Sequence, residues 1–363
     1  MAATEHFWVA DFSRPSGDYI GQKPLDIDFV PLVEAAYLAG LRDNALPALK
    51  HDGSAKVEPV WRGGAQPFVS RIRITIKGNY TYQVDALNNG SVQSAVKKAS
   101  AQLVSEGRLA AGEAFRYELL ALSRPAGAST AGANSASQDF ALQTIEEPLK
   151  IVDDVSFDSL LKYSGRGGEE AWHKADIPVI VSEQVIEEAK SLGRSAGENE
   201  SGGILLGNLC RDQGRLFILV RALIEAEYTE RSATSMAFTA ETWKAVELSM
   251  GLRNQEEQIL GWVHSHPAFA WCRQCDEARR RVCPLQRPFF SEADVNVQRT
   301  VFSSAFMVAM LLSIFEQKIS VDLFGWRDGD VASRGYYVVP GDRVNASQGV
   351  PLGRRGKVVR NPG

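Results

Sequence analysis

The sequence has little cysteine, no long apolar run and no excess of positive charge, and each lack closes off a class of protein. Four cysteines in 363 residues are too few for a disulfide scaffold, and a chain that is 44% hydrophobic builds a core without such staples. The longest apolar run, AFMVAMLLSIF from Ala305 to Phe315, falls well short of the roughly 20 residues that a membrane-crossing helix needs. A net charge of -4 gives no general attraction for nucleic acid. The opening MAATEHFWVADFSR lacks the basic start and apolar stretch of a signal peptide. No internal repeat stands out. The expectation is a cytoplasmic protein of two domains, with neither a nucleic-acid nor a membrane partner.

What is present divides the chain. The stretch RPAGASTAGANSASQD (Arg124 to Asp139) is rich in Ala, Ser and Gly without apolar periodicity and reads as a flexible linker. The expected organisation is an N-terminal α+β region over residues 1–123, a flexible linker over 124–175, an α/β domain over 176–345 and a tail over 346–363. In the first region, RIRITIKGNYTYQVDA alternates. Ile72, Ile74 and Ile76 point one way, while Arg71, Arg73, Thr75 and Lys77 point the other. The turn residues Lys77 to Asn79 complete a hairpin. A helix follows, with Val92, Ala95, Val96, Ala99 and Leu103 on one face behind a Ser91 cap. A strand, FRYELLAL, then runs from Phe115 to Leu122. Hairpin, helix and strand over 70–123 resemble the start of a ubiquitin-like β-grasp domain; an unrelated small α+β domain has the same order. The first sixty-odd residues read only as mixed structure.

Beyond the linker the pattern is α/β, a mixed sheet flanked by helices. Strand IPVIVS, from Ile177, leads into a helix with Val185, Ile186, Ala189 and Leu192 on one face. Strands GGILLGNL and RLFILVRALIEA, a helix around Trp243 to Met250, and strand QILGWVHSH follow. After a polar stretch a helix begins at Ser291, and strands FMVAMLLSI, ISVDLFGW and GYYVVP close the domain.

Residues suited to zinc crowd into HSHPAFAWCRQCDEARRRVCPLQRPFFSEAD, His264 to Asp294. His264 and His266 end a strand, where residues i and i+2 share a face and two imidazoles reach one ion. Ser291-Glu292-Ala293-Asp294 is a helix-capping signature by itself. A carboxylate in that first turn is also placed to be a third ligand. Two imidazoles, one carboxylate and an open position make a catalytic rather than a structural zinc site. Upstream, Glu200 stands immediately before the glycines Gly202 and Gly203, at the rim of whatever cleft the strands form.

ESGGILLG, GWVHSHP and SEAD, in that order and on those elements, resemble the JAMM (MPN+/JAB) metalloproteases over roughly Ile177 to Val339. The resemblance implies an isopeptidase or peptidase that cuts after the C-terminal glycine of ubiquitin or a ubiquitin-like protein with zinc-activated water. It implies His264, His266 and Asp294 as zinc ligands, Glu200 as general base and then acid, and Ser291 as donor to the oxyanion. A ubiquitin-like protein or its conjugate is the expected substrate, with modification-pathway enzymes as partners. A non-catalytic or partner-activated scaffold of the same fold is the alternative.

One departure is clear. The family spaces its second histidine and aspartate about ten residues apart, whereas here an insertion holds CRQCDEARRRVC. Cys272, Cys275 and Cys283 suggest a second, structural zinc, with Cys210, His173 or Asp276 as fourth ligand. Buried free thiols, or a thiolate occupying the open zinc position, are the other readings. Arg273, Arg279, Arg280, Arg281 and Arg287 make the loop basic, either as a solvated face or as a contact for an acidic substrate. A nucleobase deaminase is excluded because the chain has His-x-His, and Trp271 rather than Pro precedes Cys272. YSGRGGEE (Tyr163 to Glu170) raises self-cleavage after Gly168, a glycine-rich linker being the plainer alternative.

Overall fold

The computed structural model describes residues 6–46, 55–64, 66–76, 80–123, 150–153, 155–168, 170, 172–226, 229–231, 236–253, 257–273, 275–316 and 318–346. The turn at 77–79, the linker stretch 124–149 and the tail beyond 346 lie outside them.

The N-terminal part runs β1 (His6–Ser13), β2 (Tyr19–Pro24), α1 (Val30–Arg42) and β3 (Ala55–Trp61). It continues with β4 (Val69–Ile76), β5 (Tyr80–Asp85), α2 (Gly90–Ser105) and β6 (Arg116–Ser123). Hairpin, helix, strand thus occurs twice, with corresponding elements about 60 residues apart. The repeat is one of structure, and the residues do not repeat with it. Each unit lends its last strand to the other: β3 pairs antiparallel with β4, and β6 with β1. This corrects the β-grasp expectation for 70–123. The element order is present, but β6 runs along the open edge of β1 and touches its own hairpin through one bridge, Phe68–Leu120. An open edge offers unpaired N–H and C=O groups, and the strand that covers it decides the topology. Ile72, Ile74 and Ile76 face the core as the alternation requires, against Val92, Ala95, Val96, Ala99 and Leu103 of α2. The α2 cap is Asn89 rather than Ser91; its Oδ1 accepts from the N–H groups of Ser91 and Val92.

The second part begins before Ile177. β7 (Ile151–Val152), α3 (Phe157–Leu161) and β8 (Gly165–Gly167) fall where a linker was expected. Then come β9 (Val179–Ser182), α4 (Glu183–Ala196), β10 (Gly202–Asp212), β11 (Arg215–Glu225), β12 (Thr229–Arg231) and β13 (Met236–Phe238). α5 (Ala240–Arg253), β14 (Gln258–His266), α6 (Ala268–Trp271), α7 (Glu277–Arg281) and α8 (Glu292–Thr300) follow. β15 (Val308–Phe315), β16 (Lys318–Arg327), β17 (Asp330–Arg334), β18 (Tyr336–Val339) and α9 (Gly341–Ala346) complete the described chain. The mixed sheet has the order β17-β16-β15-β14-β10-β11-β9-β18-β8, with β7 on β10.

Both faces of this sheet are covered, so its strands are apolar nearly throughout. Leu205, Val263, Met310 and Leu312 pack on α4 (Val185, Ile186, Ala189) and share one core with the N-terminal part. Ile204, Trp262, Ala309 and Leu311 point the other way, onto Val246 of α5 and Phe302. The two parts also meet through polar contacts. Asn89 Nδ2 donates to Asp328 O (3.0 Å), the Gly90 N–H to Asp330 Oδ2 (2.9 Å) and Arg42 Nη1 to Ala175 O (2.9 Å).

β14 lies mid-sheet, antiparallel to β10 and parallel to β15. Gly261 makes this possible: its φ is +145°, and an added Cβ would stand 1.7 Å from Val308 O. Gly261→Ala is therefore expected to destabilise the fold by about 2 kcal/mol or more. Thermal or urea melts check this, and an unchanged midpoint would mean that β15 yields to the methyl group.

Candidate metal centre

The site is built where three elements end. Trp262, His264 and His266 alternate onto one face of β14, and Trp262 stacks on the His264 ring (4.3 Å between centroids, 14° apart). Helix α8 opens with a reciprocal cap. Ser291 Oγ accepts from the Asp294 N–H (3.1 Å), and Asp294 Oδ2 accepts from the Ser291 N–H (2.7 Å). The capping reading of Ser-x-x-Asp is thus correct, and the same box aims the carboxylate at the histidines. Asp294 Oδ1 lies 3.3 Å from His264 Nε2, and Oδ2 lies 3.2 Å from His266 Nε2.

Glu200 is placed by the β10–β14 ladder, whose register pairs Gly202 with His264. Continued two residues outward, this register sets Glu200 level with His266. The intervening pair is latched: the Ser201 N–H donates to Ser265 Oγ (2.9 Å), the Ser265 N–H donates to Ser201 O (2.9 Å), and the two hydroxyls are 2.9 Å apart. Gly203 lets β10 pass β11 closely, since a Cβ there would meet Ile224 O at 2.5 Å.

His264, His266, Asp294 and Glu200 are all buried, at 1%, 2%, 7% and 5% exposure. Burial and the nearby Asp294 push the Glu200 carboxyl up to about 7. Burial alone would raise Asp294 as well, but the close approach of the two imidazoles outweighs it and holds this carboxyl well below its usual range. Burial lowers His264 and keeps its ring neutral, the form that binds metals. Both ring nitrogens of His264 and Nδ1 of His266 are buried without a hydrogen-bond partner. Each orphaned polar atom costs about 1–3 kcal/mol, so the pocket is poorly satisfied by the chain alone. One donor atom from each of His264, His266 and Asp294 lies within 4.8 Å of the others, the one such group among the described residues. Two imidazole nitrogens and a carboxylate oxygen suit a divalent, zinc-like cation with an open position.

At the cysteines, Cys272 Sγ lies 3.0 Å from Cys283 Sγ, and Cys275 also interacts with the Cys272 thiol, so the three thiols of the insertion gather around Cys272. The candidate fourth ligands are engaged elsewhere. Cys210 is buried in β10 beside Phe157 and Phe217, Asp276 caps α7 by accepting from the Arg279 N–H (2.8 Å), and His173 Nδ1 accepts from the Ala175 N–H (3.2 Å). Of the basic residues, Arg273 pairs with Glu198 and Arg279 with Asp276. Arg-Gly-Gly at 166–168 is largely a strand: β8 pairs with β18, and Gly167 is buried against the Tyr336 ring.

Residues 175–279 match the family model described as JAB1/Mov34/MPN/PAD-1 ubiquitin protease. The chain carries a JAB/MPN domain. The match stops inside the insertion, and Ser291 and Asp294 lie beyond it. No curated protein matches the chain. Among solved structures, the solution structure of protein DSY2949 from Desulfitobacterium hafniense is 20% identical, with 45% of this chain and 93% of that one covered at a TM-score of 0.32.

Around the candidate ligands stands an aromatic wall that no motif in the sequence announced. Phe290 packs on His264 (5.5 Å), and Phe289 and Trp271 pack on His266 (4.8 and 5.2 Å). The only signal for it was the density of Trp and Phe inside the insertion.

The buried Glu200 has a consequence for stability. A carboxyl raised on folding binds its proton more tightly in the native state, so stability is full below the unfolded value near 4.5 and falls as pH rises to about 7. In chelator-treated protein, Glu200→Gln should raise stability at pH 8 by up to about 3 kcal/mol and leave it unchanged at pH 4. Melts at the two pH values check this; equal gains at both would mean that charge is not the cause.

Proposed function

We propose that the protein is a zinc-dependent isopeptidase, hydrolysing the bond between the C-terminal glycine of a ubiquitin-like protein and an amine. The observation that carries this reading is the convergence of two unsatisfied buried imidazoles with Asp294, with Glu200 on the neighbouring strand, in a JAB/MPN domain. His264, His266 and Asp294 would hold the ion, which when bound lowers the pKa of a water to about 7 and polarises a carbonyl.

The remaining chemistry falls to the chain. Glu200, with a carboxyl near 7, is in the range where a group both accepts and returns a proton at neutrality. It takes the proton of the attacking water and delivers it to the leaving amine. Ser291 accepts through Oγ in the helix cap and still has one O–H, which would donate to the carbonyl oxygen of a bound substrate. Trp271, Phe289 and Phe290 limit bulk water, which strengthens each of these interactions.

A second reading has its own support. With all four polar groups almost fully buried, the insertion covers the centre, as expected of an enzyme that opens only when a partner or substrate moves the loop. One zinc per chain with binding of a ubiquitin-like protein but no turnover would favour it.

The direct test uses ubiquitin-like proteins bearing a fluorogenic amide on the C-terminal glycine, together with elemental analysis. Glu200→Gln should keep the metal and lose about 10²- to 10⁴-fold in kcat. Ser291→Ala should lose about 10²-fold, with a melt to account for the cap. His264→Ala/His266→Ala should lose the metal as well. A wild-type zinc content unaffected by the double substitution would overturn the assignment.

A further inference from the structure

The cysteines of the insertion are not used by the site above, and Cys272 touches Cys283, with Cys275 beside them. We propose that Cys272 and Cys283 are a redox-sensitive pair, forming a reversible disulfide that closes the loop bordering the metal centre.

The pairing is set by the short helices on either side. Cys272 follows α6, its N–H donating to Ala268 O (3.2 Å) and Phe269 O (3.1 Å). Cys283 follows α7, its N–H donating to Arg280 O (3.1 Å). These turns bring the sulfurs to 3.0 Å, closer than two thiols need to be. The two sites differ in access. Cys272 is 2% exposed while Cys283 is half-buried, and burial together with the adjacent thiols pushes Cys272 up to about 12. Asp276 and Arg280 hold the intervening turn in shape, through the α7 cap and through the Arg280 Nε bond to Cys275 O (3.0 Å).

The accessible Cys283 therefore reacts first. Its sulfur attacks one oxygen of a peroxide, the O–O bond breaks, and a sulfenic acid and one water result. Cys272 Sγ then attacks the Cys283 sulfur, gives up its proton, and displaces the hydroxyl as a second water. Two thiols lose two hydrogens in all, and hydrogen peroxide becomes two waters. A dithiol reverses the change by exchange.

The position gives the bond a consequence. Between the two cysteines lie Glu277 and Arg280, which wall a cleft of about 510 Å³ with Arg287, Ser313, Lys318 and Asp322. Ser313 is the β15 partner of His266, so the cleft floor adjoins the ligands. Trp271, next to Cys272, packs on the His266 ring. A bond from 272 to 283 fixes this wall against the centre, whatever reaction the centre performs.

The test treats the full chain with equimolar hydrogen peroxide, blocks remaining thiols under denaturing conditions and maps the peptides. Two of the four cysteines should escape alkylation, the mass should fall by about 2 units before alkylation, and one cross-linked peptide should join Cys272 to Cys283. Dithiothreitol should restore all four. Cys275→Ser should leave the cross-link intact, whereas Cys283→Ser should abolish it, with a melt showing that the variant folds. Four alkylatable thiols after peroxide, cross-links shared equally with Cys275, or a zinc that shields the thiols and survives His264→Ala/His266→Ala would each overturn the proposal.

Discussion

Two imidazoles are buried beside a single carboxylate with half or more of their nitrogens unsatisfied, and the rest of the domain is arranged to hold them there. Among the described residues, no group hydrogen-bonds to His264 Nδ1, His264 Nε2 or His266 Nδ1, so the geometry is maintained from outside. The β14 register fixes the histidines, the Ser291–Asp294 cap fixes the carboxylate, and the Ser201–Ser265 latch fixes Glu200. Each device is an ordinary secondary-structure contact. Their common product is a set of donor atoms within reach of one ion.

The N-terminal part contributes to this rigidity. Its α1 and α2 pack into the same apolar core as α4, and burial of that area, at about 25 cal/mol per Å², joins the two parts more firmly than their surface ion pairs. α2 also reaches α8 directly, with Lys97 Nζ 2.8 Å from Glu292 Oε1. On the same helix Arg299 lies 3.9 Å from Asp330, whose carboxylate accepts from the Gly90 N–H at the start of α2. A change in how the N-terminal part sits therefore bears on the helix that carries Asp294. No helix among the described residues is long and apolar enough to cross a membrane.

Much of the second part was legible as sequence, because its elements obey the two simple periods. The face of α4 was readable at Val185, Ile186, Ala189 and Leu192, and β10, β11, β14, β15, β16 and β18 stood out as apolar runs, whereas the short β12 and β13 and the polar β17 did not. The site residues were legible because metal ligation needs a few residue types at strand ends and helix starts. The reading failed where partners are distant. The first sixty residues gave no clear period, since β1, β2 and β3 acquire their faces only from α1 and from strands far along the chain. Residues 151–167 looked like linker because such short strands have too few positions to show alternation. The cysteine spacing puts three thiols in one loop, but spacing does not say which fourth residue stands beside them.

By itself the sequence determined the chemistry available: which residues ligate, cap, alternate and break, all local properties of side chain and backbone. The tertiary structure decided the assignments that depend on pairing. It chose β1 rather than the second hairpin as the main neighbour of β6, set Cys272 against Cys283, and covered the candidate metal centre with Trp271, Phe289 and Phe290. The reason is the same in each case. Strand edges, thiols and aromatic faces are satisfied by any of several partners, and only the packing of the whole chain determines which of them is near.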